Sequence, residues 1–221
     1  MTAHTAGEQA ASESGTTRRT RANGEQSRQR ILDAATELAT ERGYEGTTIS
    51  LVSKKSGLPP TSIYWHFADK DDLIAAVIER SFLRWMAALD LPGGEGARGR
   101  AIELGTQVAK ALLDAPDFLR LGLMLALERR PVEPRAREMF LQVRGNAFRR
   151  FSEIVRDIAP ELDDESVHLI TTYALAGADG LFIAKEVGGD SVDLIKLFEL
   201  HARLVFDAAI NLLAGSGNGA S

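Results

Sequence analysis

The sequence predicts an all-α protein with a small N-terminal helical unit followed by a larger helical body. Apolar residues recur at spacings of three and four along most of the 221 residues, and no stretch shows the period-two alternation of strands. Breaks that contain Gly or Pro separate the periodic stretches. The content of 44% hydrophobic and 26% charged residues is that of an ordinary soluble globular chain.

The first segment, residues 1–24, is rich in Thr, Ala, Gly, Ser and Glu and carries a basic cluster at 18–21. Such a segment has little apolar surface to bury, so we predict a flexible basic tail. Helical periodicity starts near residue 26 and continues to residue 42. Gly43 then predicts the C-terminal stop of this first helix.

Two short helices follow, joined by a tight turn. Thr48 can cap a helix over 50–56, and Gly57 accepts the left-handed conformation that ends it. The next helix, over 59–67, starts on two prolines, which the first turn of a helix tolerates. Asp69 is placed to cap a fourth helix, whose predicted apolar stripe consists of Leu73, Ile74, Val77, Ile78 and Phe82.

After a Pro- and Gly-containing break at 92–96, the apolar periodicity resumes in longer stretches. Short breaks at Pro116, Pro131, Pro160 and 188–190 divide these stretches from one another. They predict five helices, over residues 98–114, 117–130, 133–158, 164–187 and 191–214.

A short helix, a glycine turn and a second short helix, supported by a first helix, form the helix-turn-helix arrangement, whose second helix enters the DNA major groove. Ile63 and Phe67 are four residues apart and can anchor that helix on a core. Thr61, Ser62 and Trp65 then project from the other side. Taken alone, the aromatic residues fit equally well an ordinary helix with buried Trp and Tyr side chains.

The run from Gly43 to Leu73, with Gly57-Leu58-Pro59-Pro60 and the triplet Tyr64-Trp65-His66, resembles the DNA-binding domain of the TetR family of transcriptional regulators. The resemblance covers about residues 26–80 and implies a homodimer whose C-terminal body binds a small effector. Ser50 departs from the many relatives that carry Arg or Lys there. The DNA-binding positions expected from the resemblance are Thr47, Thr48, Ser50, Pro60, Thr61, Ser62, Tyr64, Trp65, His66 and Lys70.

These features predict three regions: the tail at 1–24, a DNA-binding domain at 25–84, and a ligand-binding and dimerisation domain at 85–221. The distribution of charge agrees with this division, although the whole chain carries a net charge of −5. Residues 16–66 hold eight basic and five acidic side chains, whereas residues 81–221 hold 16 basic and 20 acidic ones. A positive DNA-binding unit on a negative body suits an operator-binding protein.

The C-terminal body has two features that suggest function. Small residues at 174–180 inside an apolar helix, together with the apolar last helix, predict close helix packing and a four-helix dimer interface. Surplus apolar residues with a few polar ones predict a pocket for an apolar or amphipathic effector. Its candidate residues are Trp85, Phe118, Leu121, Met124, Leu125, Glu128, Phe140, Val143, Arg144, Phe148, Tyr173 and Asp179.

Other classes of protein are disfavoured. The chain has no cysteine, which excludes disulfides and thiolate metal sites, and no nucleophile–base constellation stands out, so we expect neither an enzyme nor a cofactor. We also expect no membrane span, no signal peptide and a cytoplasmic location. The sequence therefore predicts a regulator, more specifically a repressor that a small effector releases from a palindromic operator. The alternative is a helical ligand-binding protein that has lost operator binding.

Overall fold

The computed structural model describes residues 6–89, 96–127 and 135–217, with side chains described between residues 22 and 213 of these ranges. Within them the chain is all-α, without a strand, as the sequence predicts. The helices are α1 (Ala6–Gly46), α2 (Ile49–Ser56), α3 (Pro60–His66), α4 (Lys70–Ala87), α5 (Ala97–Asp114), α6 (Asp117–Leu127), α7 (Arg135–Ile158), α8 (Asp164–Gly188) and α9 (Leu194–Gly217).

The first helix differs from its predicted bounds. Helix α1 begins at Ala6 rather than near residue 26, because Ala, Glu, Gln and Arg favour helical backbone even where no apolar face is available to bury. Gly43 is the predicted stop: with φ 68° and ψ −174° it interrupts the helix, and one more turn follows it. Whether residues 1–24 form a flexible tail in solution stays a prediction.

The last helix starts and ends three residues later than predicted, at Leu194 and Gly217. A single 3₁₀ turn, Gly189–Ser191, follows α8, and Asp193 then caps the new helix by accepting a hydrogen bond from the N–H of Lys196 at 3.1 Å. The C-terminal part of the helix predicted over 117–130 lies outside the described residues beyond Leu127. The described helices otherwise agree with prediction to within two residues.

Contacts within the chain define two compact units. The first ends at Val77 and also includes Arg135 and Ala136, while the second comprises the other described residues from Ile78 onward. The predicted stripe of α4 is buried throughout, which fixes the inward face of that helix. The predicted domain boundary near residue 84 stays a prediction.

In the second unit, α9 packs against both α5 and α8, and glycine makes each approach possible. A methyl group on Gly105 of α5 would lie 2.9 Å from the carbonyl oxygen of Phe198 and 2.9 Å from Cβ of Ala202. A methyl group on Gly177 of α8 would lie 2.2 Å from Cε1 of His201. The close helix packing predicted from the small residues of α8 is thus realised inside the chain at Gly177.

Helix α8 bears on the expectation that the chain has no membrane span. Its most apolar 18-residue window has a mean hydropathy of 1.4, so by length and composition this helix could cross a membrane. The reason is that α8 is apolar on two sides: Val167 and Ile170 are buried, while Leu169 and Tyr173 are exposed. A single helix of this kind is weak support for a membrane span, because core helices of soluble proteins reach the same hydropathy.

The α5–α9 approach gives a stability prediction. We expect Gly105→Ala to lower the free energy of unfolding by about 1–3 kcal/mol, since overpacking against the backbone of α9 outweighs the better helix propensity of Ala. Gly99→Ala in the same helix is the matched control. Nothing lies within 4 Å of its added methyl group, so we expect a gain of up to about 1 kcal/mol. Urea unfolding followed by circular dichroism measures both; equal effects would contradict the packing argument.

Candidate nucleic-acid interface and ligand cavity

The turn between α2 and α3 is held by local hydrogen bonds. Oγ1 of Thr48 accepts from the N–H of Leu51 at 3.3 Å and caps α2, as predicted. Gly57 has φ 67° and ψ 21°, the left-handed conformation that ends α2. The hydroxyl of Ser53 donates to the carbonyl oxygen of Leu58 at 2.7 Å. These contacts fix the direction in which the chain enters α3.

Helix α3 separates anchoring from exposed side chains. Ile63 and Phe67 are buried, whereas Tyr64 is 56% and Trp65 is 76% exposed. This excludes the alternative of an ordinary helix with buried aromatic side chains, because a core helix would not leave its Trp in solvent. Pro59 precedes the helix without a side-chain cap, and the helix begins at Pro60.

The predicted DNA-binding positions fall into three groups. One is buried: Thr47 has no exposed surface, and its hydroxyl donates to the carbonyl oxygen of Gly43 at 2.8 Å, so it stabilises the kink of α1 instead of facing solvent. Three are half-buried: Ser62, His66 and Lys70. The others are exposed, and together with Ser62 they form what we call the α3 face: Thr48, Ser50, Pro60, Thr61, Ser62, Tyr64 and Trp65.

Neighbouring groups determine the direction of the pKa shift of His66 and the position of the Lys70 ammonium. Burial, reinforced by the Arg28 guanidinium, holds the pKa of His66 below its ordinary value, although Glu25 opposes this shift. The Lys70 ammonium lies 4.1 Å from the centre of the Tyr44 ring and donates to the carbonyl oxygen of Tyr44 at 3.2 Å. Both cationic or potentially cationic groups are therefore held in defined positions beside the α3 face.

The carboxylates at the start of α4 make hydrogen bonds within the protein. The carboxylate of Asp69 accepts from the N–H of Asp72 at 2.8 Å, and that of Asp72 accepts from the N–H of Ala68 at 3.1 Å. Asp71 accepts from the hydroxyl of Tyr44 at 2.9 Å. The prediction that Asp69 caps α4 is confirmed, and these carboxylates have a structural reason to be there.

The second unit contains a cavity of about 130 Å³ that is partly open to solvent. Its walls come from α5, α7, α8 and α9, with Trp85 of α4 and Phe118 of α6. The rings of Trp85 and Phe118 lie 5.2 Å apart, and those of Trp85 and Phe151 lie 6.3 Å apart. Aliphatic and aromatic side chains dominate the lining, as is usual for small-molecule sites.

Besides His201, the ionisable groups at this cavity are a paired acid and base. Arg144 of α7 donates to both carboxylate oxygens of Asp179 of α8, at 3.0 and 2.7 Å. Burial raises the pKa of Asp179 above its ordinary value, while the Arg144 charge acts in the opposite direction. Because a two-point Arg–carboxylate contact requires the ionised acid, the geometry describes an ion pair, and we take Asp179 as charged at neutral pH.

Four of the predicted ligand-binding residues line the cavity: Trp85, Phe118, Arg144 and Asp179. The other described ones do not, because their helices turn them into the core or into solvent. Leu121, Leu125, Phe140 and Val143 are buried away from it, Phe148 is half-buried, Met124 and Tyr173 are exposed, and Glu128 lies outside the described residues. Ligand binding by any of these residues stays a prediction.

Several lining residues were missed by the sequence analysis. Thr171, fully buried, accepts a hydrogen bond from the hydroxyl of Ser152 at 3.3 Å, and Nε2 of His201 donates to the carbonyl oxygen of Ala174 at 2.9 Å. The sequence feature that could have identified them is the set of small residues in α8, because small side chains leave room for a cavity as well as for close packing. Helix α9 also lines it, through Phe198 and Val205.

Comparison with known proteins places these features in context. Residues 31–77 match the family described as bacterial regulatory proteins, tetR family. The transcriptional regulator AcrR of Shigella flexneri is 38% identical over 64 residues, which cover 29% of this chain and 30% of AcrR. The chain thus spans about three tenths of the length of that relative, and the similarity lies in its N-terminal helices.

Solved structures resemble a larger part of the chain. The fatty acid degradation regulator FadR of Bacillus halodurans has a TM-score of 0.68 at 17% identity, over 81% of this chain and 94% of FadR. FadR of Bacillus subtilis, solved in complex with stearoyl-CoA, has a TM-score of 0.67 at 18% identity, over 81% of this chain and 98% of that protein. At such identities the similarity is one of fold.

Proposed function

The N-terminal helices of this chain form a helix-turn-helix domain of the TetR family, and from this premise we propose that the protein is a cytoplasmic, homodimeric transcriptional repressor. Each subunit docks its α3 face into one half of a palindromic operator, and a small molecule bound in the second unit releases the DNA. The observation that carries the proposal is the exposure of Tyr64 and Trp65 on a helix whose opposite side is anchored by Ile63.

The chemistry of the α3 face supports DNA contact. The hydroxyls of Thr61 and Tyr64 can donate to base edges or phosphate oxygens, and the Trp65 ring offers an apolar surface. With Ser50 in place of a basic residue, the face brings little charge of its own. The cation beside it is Lys70, held at Tyr44, and the proposed contacts are accordingly hydrogen bonds more than ion pairs.

The proposal of a dimer rests on exposed apolar side chains of α8 and α9. On α8 the exposed residues Leu169, Tyr173, Ala176, Gly180, Ile183 and Val187 follow one another at spacings of four and three, the period of a helix–helix seam. Nothing lies within 4 Å of a methyl group added to Gly180, so packing inside the chain does not require a glycine there. On α9, Leu200 and Leu204 are exposed on the side away from the cavity.

The proposal of effector release rests on the cavity in the second unit. A protein of the same fold, FadR of Bacillus subtilis, was solved with stearoyl-CoA. A ligand that binds one arrangement of the dimer better than another shifts the population toward it. The two DNA-binding units must lie about 34–36 Å apart, or a multiple of that, to meet successive major grooves, so a shift in spacing releases DNA.

Selection of bound fragments from random duplex DNA, with the full chain at about 0.15 M salt, tests this proposal. We expect an enriched palindrome. A folded, helical protein that enriches no sequence would contradict operator binding by the free protein and favour the alternative of a ligand-binding protein without an operator.

Removing one hydroxyl tests the phosphate contact. We expect Tyr64→Phe to weaken binding to operator and to unrelated DNA alike, by about tenfold, the usual worth of a hydrogen bond to a charged acceptor. Tyr64→Ala and Lys70→Ala should act in the same direction, whereas Thr61→Ala should change sequence preference. Thr40→Val is the control, since it removes an exposed hydroxyl of α1 that donates to the carbonyl oxygen of Thr36. Unchanged affinity of Tyr64→Phe in a fluorescence anisotropy titration would contradict this docking.

His66 predicts a pH dependence of DNA affinity. A nearby phosphate raises the pKa of this imidazole, which is lowered in the free protein, so binding takes up a proton. Affinity should therefore rise as the pH falls below the pKa of His66 in the complex, and it should level off below the pKa of His66 in the free protein. The rise is at most about tenfold for each unit by which these two pKa values differ.

Anisotropy titrations measure this dependence between about pH 8 and pH 5.5, an interval that covers the ordinary range of histidine pKa values. His66→Gln should abolish it. His168→Gln, at an exposed position of α8, should leave it intact. A pH dependence that survives in His66→Gln would assign the proton to another group.

A charge on the exposed side of α9 tests the dimer. We expect Leu204→Arg to convert the dimer to a monomer at micromolar concentration, because a guanidinium buried in an apolar seam is strongly unfavourable without a partner. Leu113→Arg on α5 is the matched control, at a position of similar exposure (44% against 53%). Sedimentation equilibrium measures the state; a Leu204→Arg protein that remains dimeric would place the interface elsewhere.

A further inference from the structure

Helix α1 borders the α3 face at the C-terminal end of α3. A methyl group on Gly24 would lie 3.7 Å from Cζ3 of Trp65, which is ordinary van der Waals contact. One turn later, on the same side of α1, the guanidinium carbon of Arg28 lies 5.4 Å from the centre of the Phe67 ring. The side of α1 that carries Gly24 and Arg28 therefore lies beside the exposed ring of Trp65.

The Phe67 ring positions the Arg28 guanidinium and leaves its hydrogen-bond donors without acceptors. In the described part of the chain, Arg28 makes this ring contact but no hydrogen bond or ion pair. The residue is half-buried, and none of its side-chain nitrogen atoms is buried. Because a guanidinium carries five N–H donors in a planar fork, Arg28 presents a positioned cation whose donors are unused.

Two other basic side chains of the first unit are already engaged by the protein. Arg30, two residues further along α1, donates to the carbonyl oxygen of Ser56 at 2.7 Å. The ammonium of Lys55 lies 2.6 Å from the carboxylate of Glu37. These contacts stabilise the unit and explain why the two cations are there. Arg28 has no comparable partner among the described residues, so its charge remains available to an anion from outside the chain.

The charge of Arg28 acts on the end of α3. Burial is the main reason that the pKa of His66 lies below its ordinary value, and the positive charge of Arg28 adds to this shift. Glu25, on the preceding turn of α1, accepts a hydrogen bond from Gln29 at 2.8 Å instead of pairing with Arg28. An anion bound beside Arg28 would therefore meet an uncompensated positive charge and would also favour the protonated form of His66.

We propose that Arg28 binds a phosphate of the DNA backbone beside the α3 face, as a contact that lies outside the two helices of the helix-turn-helix motif. The inference rests on the proposed function in that it takes the α3 face as the DNA-binding surface. A guanidinium can bind a phosphate through two parallel N–H···O bonds. Arg28 thus adds a second cation, from α1, to a face whose own residues are all uncharged.

The test measures the DNA affinity of the full chain as a function of salt concentration, by fluorescence anisotropy, on the selected operator and on an unrelated duplex. Each phosphate contact contributes about 0.9 to the slope of log K against the logarithm of salt concentration, so we expect Arg28→Gln to reduce this slope by about 0.9 for each subunit. We also expect weaker binding to both duplexes, by about tenfold for each subunit, because the lost hydrogen bonds join charged groups.

Arg84→Gln is the matched control. Arg84 is an exposed arginine of α4 in the second unit, and its removal changes the net charge by the same amount. We expect this variant to keep the slope of the parent protein. An unchanged slope in Arg28→Gln, or an equal fall in both variants, overturns the inference. Weaker binding of Arg28→Gln at an unchanged slope also overturns it, because loss of the Phe67 contact alone would have that effect.

Arg28→Lys separates the two-point contact from the charge. Lysine keeps a cation beside the Phe67 ring but offers no planar fork. We expect a slope close to that of the parent protein and an affinity about fivefold lower for each subunit, the usual worth of one net hydrogen bond. Unchanged affinity of Arg28→Lys overturns the two-point contact. If Arg28→Gln is not folded by circular dichroism, the comparison of Arg28→Lys with the parent decides the inference alone.

The unrelated duplex separates failure of this inference from failure of the proposed function. If the protein enriches no palindrome but Arg28→Gln lowers the slope on unrelated DNA, the inference is retained and the proposed operator binding is contradicted. If a palindrome is enriched and the slope does not change, the proposed function is retained and the inference is overturned. Failure of the parent protein to bind either duplex overturns both.

Discussion

The second unit depends on the close approach of α9 to α5 and α8. Gly105 lets the backbone of α9 come within contact distance of α5, and Gly177 receives the ring of His201. With α9 held on both sides, its apolar residues divide into two sets. Phe198 and Val205 line the cavity, whereas Leu204 faces solvent. A bulkier residue at Gly105 would meet the backbone of α9 and push that helix away, which would change both surfaces together.

In the first unit the turn between α2 and α3 is held mainly by short-range contacts, while Arg30 of α1 donates to the carbonyl oxygen of Ser56 at 2.7 Å. Thr48 caps α2, and Gly57 turns the chain. The hydroxyl of the buried Thr47, the residue directly after α1, donates to the carbonyl oxygen of Gly43 at the kink. Each of these short-range contacts joins residues three to four apart or acts at one residue, so the geometry of the turn is encoded locally. The anchor at Ile63 then decides which side of α3 meets solvent, and Tyr64 and Trp65 become available for binding.

Few of the side chains that line the cavity are polar. Arg144 and Asp179 provide polarity without net charge, and burial alone would favour a neutral Asp179 if Arg144 were not there. Trp85 lies against the rings of Phe118 and Phe151 in the wall of the cavity. The walls are otherwise apolar, so recognition of a molecule there depends on shape and on few hydrogen bonds.

The sequence by itself determined the helices and the helix-turn-helix unit, because caps, glycine turns and apolar periodicity act between near neighbours. Only the tertiary structure decided which side of each long helix lines the cavity. Met124 and Tyr173 share the apolar character of Phe118 and Trp85, yet they face solvent, because a helix that is apolar on two sides carries no local mark of the side its partners cover. Likewise, Thr47 and Thr48 are adjacent threonines, but one is buried at a kink and the other caps a helix. Burial of this kind depends on residues distant in sequence, which periodicity cannot identify.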